Sequence, residues 1–108
     1  MSLRDVTGTA FQQEVVEAKG LVVVDYWADW CAPCKQMAPI LEELEAAHPD
    51  IKFVKVDTDA ETALAAQRGI MGLPTLEFWV DGEVVDTATG GKTKRALQKA
   101  IDEHAPRG

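Results

Sequence analysis

A chain of 108 residues, 46% hydrophobic and 27% charged, has the size and composition of one soluble domain, and we read residues 1–108 as a single domain with one continuous core. Its 18 acidic against 11 basic side chains give a formal charge of −7, which argues against nucleic acid or an anionic membrane surface as partner, since both are polyanions. No apolar run is longer than four residues, as in Leu21-Val22-Val23-Val24, far below the ~20 that a membrane-spanning helix needs.

Residues 3–6 read as a short edge strand. Thr7 or Thr9 can then cap a helix on which Phe11, Val15 and Ala18 follow helical spacing, and Gly20 ends it. Residues 21–27 are β-branched and apolar on both faces until Asp25, the pattern of a central strand covered on both sides. From Pro33 to about His48 the spacing of Met37, Ile40, Leu41, Leu44 and Ala47 predicts an amphipathic helix, with Pro33 in its first turn and a kink at Pro39. Residues 51–56 alternate as a strand, 60–68 form a short helix ended by Gly69, and 75–80 make another strand. Asp81-Gly82 signals a hairpin into 83–89. A last helix over 93–104 carries Ala96, Leu97, Ala100 and Ile101 on one face, before a polar tail at 106–108. The order β-α-β-α-β-α-β-β-α has a first half able to make parallel crossovers and a second half with a hairpin, which predicts an α/β fold with a mixed central sheet flanked by helices.

Cys31 and Cys34 are the only cysteines, and they stand three apart where the central strand gives way to the long helix. Residues at that spacing share a helix face with Cβ atoms roughly 5–6 Å apart, so a small adjustment lets them form a disulfide. The first turn of a helix also leaves N–H groups unpaired and carries a partial positive charge, which stabilises a thiolate at Cys31. A bridge over so few residues constrains the unfolded chain little, so redox chemistry explains it better than stability does. Zinc is the competing reading. It normally takes four ligands, and the histidines, His48 and His104, lie far along the chain with no second paired spacing, so no metal is expected.

The run Val24-Asp25-Tyr26-Trp27-Ala28-Asp29-Trp30-Cys31-Ala32-Pro33-Cys34-Lys35 continues into Ala38-Pro39-Ile40-Leu41. Together with Val54-Lys55-Val56-Asp57, Gly69-Ile70-Met71-Gly72-Leu73-Pro74-Thr75 and Asp81-Gly82-Glu83-Val84 it resembles the thioredoxin family over nearly the whole chain in one register. The resemblance implies a thioredoxin fold and a thiol-disulfide oxidoreductase that reduces protein disulfides. Its electrons would come from a flavin-containing, NADPH-dependent thioredoxin reductase, with no cofactor beyond the Cys31–Cys34 disulfide. By matched position Cys31 is the attacking thiolate and Cys34 the resolving thiol. Asp25, beneath the motif and coupled to Lys55, would take the proton of Cys34, because burial should raise its pKa toward the working range. An alternative for Asp25 is a buried pair with Lys55 that serves structure alone.

The resemblance also implies a cis bond between Leu73 and Pro74, facing the cysteines and leaving the Leu73 backbone free to pair with an extended substrate. Trp30, Ala32, Pro33, Met71, Gly72, Leu73, Pro74 and Gly90 would form an apolar rim for disulfide-containing proteins, whereas Trp27, Phe53, Phe78 and Trp79 read as core aromatics. Ala32 departs from the glycine usual at this place in the family. It restricts the loop backbone and adds a methyl beside the outer sulfur, which bears on reduction potential and partner preference.

Two other functions compete with this one: a redox-inert module of the same fold that only binds, and an oxidant or isomerase of an exported pathway. The first twenty residues hold Arg4, Asp5, Glu14, Glu17 and Lys19 without an apolar stretch of signal-peptide length, so the expected location is the cytoplasm; a mature form stripped of its signal would read the same. A monomer is expected.

Overall fold

The apolar runs and turn signals resolve into a five-stranded sheet and four helices in the computed structural model, which describes residues 3–105; the polar tail at 106–108 lies outside them. In chain order these are β1 (Arg4–Asp5), α1 (Gly8–Phe11), β2 (Leu21–Trp27), α2 (Ala32–Ala47), β3 (Lys52–Asp57), α3 (Thr62–Gln67), β4 (Thr75–Val80), β5 (Glu83–Thr89) and α4 (Lys94–His104). The strands lie in the order β1-β3-β2-β4-β5, with β1, β3 and β2 parallel, β4 antiparallel to β2, and β5 antiparallel to β4. The expected α/β order and mixed sheet hold.

Period-2 alternation along β2 divides the core. Leu21 and Val23 point to one face, where they pack with Met37, Leu41 and Leu44 of α2 and with Leu97 and Ile101 of α4. Val22, Val24 and Tyr26 point to the other, with Phe11, Val15, Val54, Val56, Leu64 and Trp79. Both faces are covered, which explains why the strand reads as a continuous apolar run.

Several local features differ from the sequence expectation. β1 is only two residues long; Leu3 and Val6 on either side of it pack on opposite faces of the core, and the Val6 N–H donates to the Lys55 carbonyl at 2.9 Å. The first helix is capped by the Thr7 side chain, then widens into a π turn over Gln12–Val16, closed by the Glu17 N–H on the Gln12 carbonyl at 2.9 Å. The Lys52 ammonium holds that turn from outside, bonding both the carbonyl and the carboxylate of Glu14 at 2.7 and 2.8 Å.

The hairpin forms as its sequence demands. Asp81 and Gly82 have φ of 49° and 89°, the pair of positive values that a type I′ turn requires. Gly82 is needed for space as well, since a Cβ there would stand 2.9 Å from the Val16 carbonyl oxygen. The Gly20 N–H donates to the Asp81 carboxylate at 2.8 Å, fixing the hairpin tip against the start of β2.

Candidate active site

β2 ends at Trp27, and four residues, the last of them Cys31, lead into α2. Cys31 does not sit inside the helix but caps it, in extended conformation, with Ala32 and Pro33 forming the first turn. Its sulfur accepts the Cys34 N–H at 3.2 Å. A backbone donor therefore points at the sulfur from the positive end of a helix, the arrangement that favours a thiolate once the pair is reduced. Cys31 and Cys34 are joined as a disulfide with Cα atoms 5.3 Å apart. Both residues are buried, packed with Ala28 and flanked by Trp27 and Leu73, so the outer sulfur is more covered than the sequence suggests.

Two loops border the pair. Trp30 and Met71 are 71% and 96% exposed, and Ala32 and Pro33 are exposed beside Cys31. The Leu73–Pro74 bond is cis. Leu73 packs against the cysteine cluster while Pro74 is buried. The loop is tied at two points: Thr75 Oγ1 donates to the Gly72 carbonyl at 2.6 Å, and the Gly90 N–H donates to the Pro74 carbonyl at 2.8 Å. Gly90 has φ of 90°, which lets the chain after β5 turn back onto Pro74. These two bonds tie Gly72, Pro74 and Gly90 to one segment, whose Leu73 is the residue packed against the cysteines.

Asp25 lies on the face of β2 that α2 covers, opposite Lys55 of β3. It is 6% exposed, and its Oδ1 has no hydrogen-bond partner among the described residues. Burial pushes its pKa up to about 7, against the opposing field of the Lys55 ammonium. That ammonium stands 4.9 Å from the centre of the Trp27 ring, and no Asp25–Lys55 ion pair closes within 4 Å among the described residues. A cavity of about 30 Å³ lined by Asp25, Lys55, Leu3, Ala38, Leu41 and Glu42 adjoins the carboxyl. It has room for a water. Ala38, in that lining, is one helical turn beyond Cys34 on α2.

Neither histidine approaches the sulfurs: His48 bonds Gln98 and His104 bonds Asp86. Phe53, Phe78 and Trp79 are core residues, whereas Trp27 is half-buried against the cysteine cluster. Sequence reasoning missed one buried polar group altogether. Glu77 of β4 is 3% exposed and receives Tyr26, Trp79 and Arg68. The available signal was a carboxylate in the middle of the run Leu76-Glu77-Phe78-Trp79, but alternation makes such a residue look solvent-facing.

Comparison with known proteins agrees with this geometry. The family profile described as Thioredoxin matches residues 2–103. The chain is 44% identical over 105 residues to Thioredoxin of Bacillus subtilis, covering 96% of this chain and 99% of that one. It is 43% identical over 100 residues to Thioredoxin 1 of Synechococcus elongatus, covering 92% and 94% respectively. Against Thioredoxin of Streptomyces clavuligerus the identity is 43% over 95 residues, covering 88% and 89%.

Proposed function

The chain belongs to the thioredoxin family and is a thiol-disulfide oxidoreductase acting through a redox-active cysteine pair; from that premise we propose a mechanism in which Cys31 attacks, Cys34 resolves and Asp25 takes the proton. The observation that carries it is the Cys31 sulfur at the cap of α2, bonded to Cys34 and receiving its N–H at 3.2 Å.

The Cys31 thiolate attacks one sulfur of a substrate disulfide. That bond breaks, the other substrate sulfur leaves as a thiolate, and Cys31 is held in a mixed disulfide. Cys34 then gives its proton to the Asp25 carboxylate, directly or through one water, and attacks the Cys31 sulfur. The Cys31–Cys34 bond closes as the second substrate thiolate departs, so two electrons have passed to the substrate. Having both thiols on one turn makes this second attack intramolecular. Lys55 moderates Asp25: its field keeps the carboxyl from rising beyond the neutral range, so that it stays available as a base.

Docking is assigned to Trp30, Ala32, Pro33, Met71, Gly72, Leu73, Pro74 and Gly90. What supports this is the exposure of the first loop and of Met71, and the contact of Leu73 with the cysteines. Backbone groups of Leu73 pair with an extended substrate segment, which is indifferent to side chains, and Met71 repacks readily on different partners. A flavin-containing, NADPH-dependent thioredoxin reductase returns the two electrons, the protein acts as a monomer, and its place is the cytoplasm, where reduced thiols are maintained. Residues 1–108 act as one domain.

Turnover of a disulfide-bonded protein with dithiothreitol tests the chemistry. Cys31→Ser should fall to the uncatalysed rate; equal rates would leave a protein that only binds. Direction is tested by titration against glutathione, read by the fluorescence of Trp27 and Trp30. A midpoint near the about −270 mV typical of thioredoxins supports a reductase, and one near about −120 mV would make the protein an oxidant.

A further inference from the structure

A strand covered on both faces has no evident need for a carboxylate, yet Glu77 sits 3% exposed in the middle of β4. Four donors converge on it. Tyr26 Oη and Trp79 Nε1 donate to Oε1 at 2.7 and 3.0 Å, and Arg68 Nη2 and Nε donate to Oε2 at 2.9 and 3.2 Å. The Arg68 guanidinium also lies over the Trp79 ring, 4.9 Å from its centre.

Arg68 is the residue that ends α3, and Glu77 is the third residue of β4. Between them run 69–74, the segment that holds Met71, Gly72, Leu73 and the cis Pro74. Within that span Leu73 packs on two sides, against the cysteine cluster and against the cluster that contains Tyr26 and Trp79.

Stability alone does not account for this arrangement. Replacing a buried ion pair by apolar side chains of similar volume is often neutral or stabilising, because the charges no longer lose their hydration. A guanidinium on a carboxylate adds direction instead: its planar fork satisfies the oxygens in few relative positions, whereas apolar contacts allow neighbouring surfaces to slide.

We propose that the Arg68–Glu77 pair, braced by Tyr26 and Trp79, is a positioning device that fixes the substrate-docking loop 69–74 relative to Cys31. The inference rests on the docking role given above to Met71, Gly72 and Leu73. Arg68 and Glu77 act through that loop and touch neither sulfur nor substrate.

Arg68→Lys keeps the charge and loses the fork, and the triple variant Tyr26→Phe, Arg68→Met, Glu77→Leu makes the acid and two of its partners apolar, leaving the Trp79 N–H without its acceptor. Each is compared with the unmodified protein in reducing a disulfide-bonded protein and in reacting with dithionitrobenzoate, a small disulfide with no backbone to pair with the loop. The expected result is a KM for the protein substrate raised about five-fold or more, with kcat and the small-disulfide rate changing less, since misplacing a docking element loses part of the advantage of orientation. A KM within about two-fold of the unmodified protein in folded Arg68→Lys overturns the proposal, and that variant decides the matter if the triple variant does not fold. An unmodified protein no faster than Cys31→Ser would sink the redox reading on which the docking role rests. An active one with unmoved KM in the variants sinks only the positioning role.

Discussion

Two carboxylates occupy the centre of the sheet, one on each face, and they are equally hidden: Asp25 is 6% and Glu77 3% exposed. Their surroundings are opposite. Asp25 has an oxygen without a partner among the described residues and feels only the field of Lys55, so burial dominates and pushes its pKa to about 7. Glu77 accepts from a hydroxyl, an indole and two guanidinium nitrogens. Depth therefore does not decide what a buried acid does; the donors around it do. Where few hold the charge, the group can take a proton at neutral pH. Where four hold it, the group becomes a fixed anchor.

The largest effect should come from stripping Glu77 of its counter-ion. Arg68→Met leaves the buried carboxylate with Tyr26 and Trp79 as donors but with no counter-ion; the guanidinium is 31% exposed, so the loss of folding stability in urea at pH 7 should be about 2–4 kcal/mol, short of the loss for a fully buried pair. A loss below about 1 kcal/mol would mean that water or a neighbour replaces the guanidinium, and the contrast between the two acids would weaken. Asp25→Asn should act in the other direction. Between pH 3.8 and about 7 the folded protein keeps a proton that the unfolded chain has released, so native stability falls as pH rises through that window and levels off above it. The interval corresponds to a cost of up to about 4 kcal/mol at pH 8. Asn carries no such cost, so the variant should be more stable by about 2–4 kcal/mol at pH 8 and no more stable at pH 3. The same change should lengthen the life of a mixed disulfide on Cys31 by about 100-fold, measured by rapid mixing and acid trapping, because the general base is gone. A variant that gains stability without losing speed would remove Asp25 from the reaction.

The two acids also differ in how far the sequence reveals them. Asp25 is legible because it interrupts the β-branched run of β2 six residues before Cys31, at a point where every neighbour is apolar. Its desolvation follows from the same apolar run, whereas its place beneath the motif, its Lys55 neighbour and the cis Leu73–Pro74 bond were legible only through family resemblance, since nothing in local composition places β3 or the later loop beside β2. Element order, the Asp81-Gly82 hairpin and both core faces of β2 followed from periodicity and turn chemistry. The π turn at 12–16 did not, and the Glu14 carbonyl inside it is met by Lys52, a partner far along the chain that local pattern cannot show. Glu77 was hidden for a related reason. Alternation reports which residues share a face, but not whether that face is covered, and the donors that make burial tolerable come from β2, from β4 itself and from the end of α3.

Tyr26→Phe is the mildest way to test the contrast. It removes one donor of the four and leaves the Arg68 fork in place, so the expected loss is about 1.5–3 kcal/mol, the range for a hydrogen bond to a charged group. Its dependence on pH is the sharper readout. Burial and the neighbouring Glu77 raise the pKa of the Tyr26 hydroxyl well above its usual value, so the phenol keeps its proton throughout the neutral range. The difference in urea stability between the unmodified protein and Tyr26→Phe should then be the same at pH 5, 7 and 9. Over that interval Asp25 is losing its proton in both proteins, with its side chain on the face of β2 opposite the hydroxyl. A difference that grew or shrank with pH would mean that the Tyr26–Glu77 bond is not the fixed contact that sets this face apart from the other.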